Sequence, residues 1–122
     1  MKRQKKRQLE EKLKAMTKPI EEKLEALTQE IPDFMGGLDK AQEETAKDGA
    51  ISAKMKELML VAISVAVQCE VCCRHHVPAA IGLGASRAEI MEAVSTAILM
   101  GGGPAVAHGV TVLEILEELD IR

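Results

Sequence analysis

Cys69-Glu70-Val71-Cys72-Cys73-Arg74-His75-His76 reads as C-x-x-C-x-x-x-H, and Glu57 lies twelve residues before its first cysteine. A dithiol, an imidazole and a carboxylate at these intervals are the parts needed to ionise a thiol, oxidise it and resolve the product. The thiolate is the reactive form of cysteine, and a helix N-terminus or a protonated imidazole nearby favours it. A helix from Cys69 to Ile81 would place both thiols in its first turn. Residues three apart there lie within the Cα separation that a disulfide requires. His76 follows Cys72 by four positions, one turn on along the same face, so it can take the Cys72 proton or steady the thiolate. Glu57 follows Lys54 and Lys56 at the head of an apolar run, Leu58–Val67, where an unpaired charge would be costly once buried. The cysteine–histidine cluster is its obvious partner, an arrangement suited to a proton relay.

Other readings of the same residues compete. Two Cys, a His and a Glu could bind zinc. Structural zinc sites, however, draw on two ligand pairs far apart in sequence, and no second C-x-x-C or H-x-x-x-H is present. No metal and no cofactor is therefore expected. The thiols could also be small buried hydrophobes, which suits Cys73 better than its neighbours. His75 points about a hundred degrees away from His76 on a helix, toward the surface or behind the site. His108 could reach the cluster across the core, or serve as a polar group at a subunit contact.

The elements that must position these groups all read as helices. Leu9, Leu13, Met16, Ile20, Leu24 and Leu27 recur at three and four residues and mark one face of a helix over 3–30. Pro19 either kinks it or opens a second helix capped by Thr17. A short helix is expected over 33–47, ending at Asp48-Gly49. Ser52 is a candidate N-cap for a helix over 53–67, apolar on nearly every side and so expected at the centre of the core. The 69–81 helix should lie antiparallel to it and end at Gly82-Leu83-Gly84. Ser86 and Glu89 form a capping box for a helix to Met100. Pro104 suits the first turn of a closing helix through Leu119. Gly101-Gly102-Gly103-Pro104 lacks the Lys-Ser/Thr of a phosphate loop and reads as a turn between close helices.

Composition narrows the function. A chain of 122 residues with 47% hydrophobic content can bury one core. Phe34 is the only aromatic residue, so no base-stacking platform exists and nucleic-acid binding is not expected. The net charge is −3, but residues 1–18 carry eight Lys/Arg against Glu10 and Glu11, which leaves −9 elsewhere. That basic arm reads as a solvated helix start or a surface for an acidic neighbouring subunit. Its onset is not a secretory signal, and the Leu58–Val67 run is too short to span a bilayer. Three cysteines within five positions do not form a secreted disulfide framework, so a cytoplasmic setting without membrane contact is expected.

The stretches Lys54-Met55-Lys56-Glu57-Leu58, Cys69-x-x-Cys72-x-x-x-His76, Gly84-Ala85-Ser86-x-x-Glu89-Ile90 and Met100-Gly101-Gly102-Gly103-Pro104 together resemble the carboxymuconolactone decarboxylase family. Within it they resemble the alkylhydroperoxidase D-like branch. The resemblance covers about residues 50–118. It divides the chain into a basic helical arm, 1–30, and a helical domain, 31–122. It implies an all-α fold assembled into homotrimers or homohexamers, and a thiol peroxidase or disulfide reductase mechanism. In that mechanism Cys72 attacks a hydroperoxide and becomes a sulfenic acid, Cys69 condenses with it to a disulfide, and Glu57 with His76 relays protons. An external dithiol, a lipoylated or thioredoxin-like protein, would reduce the pair. The adjacent base at His76 also favours Cys72 as the attacking thiol, with Cys69 nearer the helix start and more exposed. The better-known peroxidases of the branch carry a His between the cysteines, where this chain has Val71, a difference that bears on the relay's strength. Two alternatives stand beside this one: decarboxylation of a muconolactone-type ring, which does not call for a C-x-x-C, and a non-enzymatic helical assembly whose dithiol senses oxidation or holds a metal.

Overall fold

A computed structural model describes residues 1–122 apart from the side chain of Thr17. Among the described residues the fold is six α-helices with no strand: α1 (Lys2–Glu30), α2 (Pro32–Thr45), α3 (Ala53–Ala66), α4 (Glu70–Gly82), α5 (Arg87–Gly101) and α6 (Gly103–Glu118). The expected all-α class holds. α3 is the hub, packing along α4 and α5 and more lightly against α6. A short link, 67–69, joins the end of α3 to the start of α4, and Glu57 near the start of α3 meets His76 midway along α4, so the two run antiparallel as expected. Val61, Val65, Cys73, Val77, Ile90, Val112, Ile115 and Leu116 are sealed from solvent at the centre.

The helix starts follow from side-chain chemistry. Ser52 Oγ accepts the Met55 N–H, and Ser86 and Glu89 exchange both bonds of the capping box. Pro32 opens α2, and Pro104 lies in the first turn of α6. At the glycine turn Gly102 takes a φ of +67° between α5 and α6. A Cβ on Gly101 would come within 2.8 Å of the Ala105 Cβ, so the residue lets the helices approach.

Some expectations shift. α1 runs unbroken through Pro19; the carbonyl that Pro19 leaves without an N–H belongs to Ala15, which is exposed and open to water. The cap foreseen at Thr17 falls on the side chain outside the described residues. α2 ends at Thr45, two residues before the expected 47. Leu9, Leu13 and Met16 pack on the core, but Leu24 and Leu27, on the same stripe, stay exposed. α3 is central, but not on every side: Met55, Met59, Ile63 and Val67 form an open stripe at four-residue spacing.

Candidate functional site

The cysteine pair is positioned by a tight link between α3 and α4. α3 ends with Gln68 in the left-handed region, φ +59°. The Gln68 N–H then donates to the Val65 carbonyl at 3.2 Å and the Cys69 N–H to the Ser64 carbonyl at 3.0 Å. This is a Schellman close, a motif whose left-handed position usually holds Gly. The next helix begins at once: Cys69 is not inside its first turn, as the spacing suggested, but is its N-cap, and Cys69 Sγ accepts the Cys72 N–H at 3.2 Å. One residue therefore closes α3 with its backbone and caps α4 with its sulfur. Cys69 and Cys72 are joined as a disulfide with a Cα separation of 5.2 Å. Both are half-buried, so exposure does not separate them as expected.

One turn on from Cys72, the His76 Nδ1 meets Glu57 Oε2 at 2.9 Å, with side-chain exposures of 22% and 18%. Glu57 thus has the partner that its partial burial calls for. Among the described residues His76 hydrogen-bonds Glu57 alone, and no bond joins its ring to either sulfur. Cys72 and His76 are four residues apart on α4, a register that puts both on one face of the helix. The His75 ring stands edge-on to His76, centroids 4.9 Å apart. Partial burial, then the charge of His76, pushes the His75 pKa below its ordinary 6.5, with Glu57 and Glu21 pulling the other way.

Cys73 points into the core and is fully buried, and burial pushes its thiol up from the ordinary 9.0. His108 does not reach the cluster across the core: its ring bonds the Pro104 carbonyl of its own helix at 3.1 Å. Val71, between the cysteines, is 57% exposed. Among the described residues no group of three or more His, Cys, Asp and Glu side chains is placed to hold a metal ion.

A groove of about 540 Å³ lies between α2 and the α3–α4 pair. Leu38 and Ala41 of α2, Leu60 of α3 and Leu83 give it an apolar surface, and Glu57 and His76 line its wall. Neither Cys69 nor Cys72 lines it. Sequence reasoning missed this groove, although Leu38, Ala41, Gln42 and Thr45 recur at one-face helical spacing on α2.

An all-helical chain with a C-x-x-C at a helix start and a Glu–His pair one turn on defines a class of protein. The carboxymuconolactone decarboxylase family model matches residues 32–114. The chain belongs to that family. It is similar to a family member from Legionella pneumophila, with a TM-score of 0.80, 36% identity, and coverage of 88% of this chain and 96% of the other. A Thermotoga maritima member, for which a part in the antioxidative response has been suggested, matches with a TM-score of 0.64 and 32% identity over 73% of this chain and 89% of that one. Uncharacterized protein 4 in the cox locus of Paracoccus denitrificans is 40% identical over 73 residues, 60% of this chain and 66% of that protein, just under two thirds of its length.

Proposed function

We propose that this protein is a thiol-dependent peroxidase and disulfide reductase, with Cys72, Cys69, His76 and Glu57 as its catalytic residues. The observation that carries the reading is the alignment on α4 of a closed Cys69–Cys72 disulfide with a His76 held by Glu57. The Cys72 thiolate attacks the distal oxygen of a hydroperoxide and the O–O bond breaks. The alcohol leaves with a proton delivered through His76 and Glu57. Cys69 then displaces water from the sulfenic acid, and a dithiol returns two electrons and two protons. The antioxidative role suggested for the Thermotoga relative agrees with this chemistry. Decarboxylation makes no use of a dithiol, and the paired cysteines favour redox work over it.

The test is peroxide consumption with a panel of dithiols, comparing the wild type with Cys69→Ser and Cys72→Ser. Both variants should lose turnover, and Cys69→Ser should accumulate a dimedone-reactive sulfenic acid on Cys72. Unchanged turnover in either variant would refute the reading. Among the described residues no helix is long and apolar enough to cross a membrane, and the proposed setting is the cytoplasm.

The same reading includes a homo-oligomer, a trimer or hexamer. Met55, Met59, Ile63 and Val67 leave an apolar stripe beside the disulfide, from 45% exposed at Met59 to 64% at Val67. Sedimentation should give a multiple of the 13.2 kDa chain mass, which Ile63→Glu lowers. A monomer at micromolar concentration would rule this out.

A further inference from the structure

Cys69 and Cys72 occupy unlike positions, although their exposure is similar. Cys69 is the N-cap of α4, its sulfur faces the Cys72 N–H at 3.2 Å, and it lies at the positive end of a 13-residue helix. A disulfide sulfur accepts that hydrogen bond weakly; a thiolate accepts it strongly and also gains from the helix end. The acidic residue of the same turn, Glu70, is drawn off by Arg74, which bonds it at 3.2 Å and reaches Glu118 on α6 at 3.4 Å. Cys72 has no such donor among the described residues: its own N–H goes to Cys69, and no hydrogen bond joins its sulfur to His76, whose Nδ1 is held by Glu57.

We propose that Cys69 acts as the thiolate cap of α4 whenever the disulfide is open, and that Cys72 alone carries both adducts of the cycle. This rests on the peroxidase reading and extends it to the reductive half. In the oxidative half the Cys69 thiolate attacks the Cys72 sulfenic sulfur and hydroxide leaves to be protonated to water. In the reductive half a thiolate of the external dithiol attacks the Cys72 sulfur. The Cys69–Cys72 bond breaks and its electron pair departs on Cys69, since the sulfur best stabilised as an anion leaves fastest. The second thiol of the reductant then attacks its own first sulfur. That closes the reductant's disulfide and releases Cys72, which takes a proton back from the His76–Glu57 pair. Cys69 is thus the resolving nucleophile in one direction and the leaving group in the other, through one backbone hydrogen bond.

The test uses wild-type protein whose disulfide has been closed with diamide, so it does not depend on peroxide turnover. Glutathione, a monothiol that cannot complete the second exchange, is mixed in and quenched within milliseconds with N-ethylmaleimide, and the adducts are mapped by tandem mass spectrometry. Glutathione should lie on Cys72 and maleimide on Cys69, in excess of the reverse arrangement by roughly tenfold. In parallel, alkylation by iodoacetamide should reach half its maximal rate at lower pH for Cys69 in Cys72→Ser than for Cys72 in Cys69→Ser. Glutathione mainly on Cys69, an even split, or the reverse order of alkylation would overturn the proposal. Peroxide added to the reduced protein in the same experiment tests the underlying reading separately. Failure to close the disulfide there sinks the peroxidase function and leaves the roles of the two sulfurs to the glutathione arm.

Discussion

Replacing Glu57 by Gln isolates the charge in the proposed relay from its shape. The 2.9 Å contact to His76 Nδ1 is made by a side chain 18% exposed, so water screens it only partly. Gln has nearly the same volume, and its amide oxygen can accept the same ring N–H. What it removes is the charge that steadies His76 while that ring holds a proton in transit. A hydrogen bond to a charged group contributes about 1.5–3 kcal/mol net, and a neutral one about 0.5–1.5. The difference, about 1–1.5 kcal/mol, is roughly tenfold in rate if it is felt only when the imidazole is charged. Glu57→Leu removes the acceptor altogether and should approach the factor of about 10²–10⁴ characteristic of losing an acid–base group. Peroxide-dependent oxidation of a dithiol, with kcat/KM measured for both variants, reads these numbers. Urea unfolding of the oxidised proteins should shift by no more than about 1 kcal/mol for Gln. Wild-type kcat/KM in Glu57→Gln and Glu57→Leu alike would show that the carboxylate has no part in proton transfer.

The link that places Cys69 carries its own test. Gln68→Gly removes the cost of a left-handed non-glycine residue, and after the backbone entropy of Gly it should stabilise by about 0.5–1 kcal/mol, seen as a higher urea midpoint. Gly101→Ala puts a Cβ 2.8 Å from that of Ala105, so its helix-forming gain should be outweighed and stability should fall by about 1–2 kcal/mol. His75 supplies a pH dependence. Its folded pKa lies below 6.5, so the unfolded chain takes up a proton first, and the contribution to stability present above 6.5 is lost as pH falls through the folded value. Burial and the charge of His76 outweigh the opposing pull of Glu57 and Glu21 on this ring, so the wild-type midpoint should drop between neutral and mildly acidic pH, and His75→Gln should flatten that limb. Cys73→Ser places a hydroxyl in the apolar core and should cost about 1–3 kcal/mol in a urea titration, with the disulfide still able to close.

The sequence alone determined what depends on neighbours along the chain. Helical periods, the Ser52 and Ser86 caps and Pro104 in the first turn of the last helix are local effects, and they appear where the spacing put them. The four-residue step from Cys72 to His76 is fixed by helical geometry in the same way, whereas Cys69 stands just outside the helix as its N-cap. Even Glu57 announced that it needed a partner, because a carboxylate at the head of an apolar run has few ways to be satisfied once buried. Only the tertiary structure decided who that partner was. The antiparallel packing of α3 on α4 turned a separation of nineteen residues into a hydrogen bond of 2.9 Å. It also left His108 on its own helix, opened the groove under α2, and kept Met55, Met59, Ile63 and Val67 exposed on a helix whose composition called for burial all round. The reason is geometric: composition says how much apolar surface a helix carries, but which of its faces meets another helix depends on where the rest of the chain has packed.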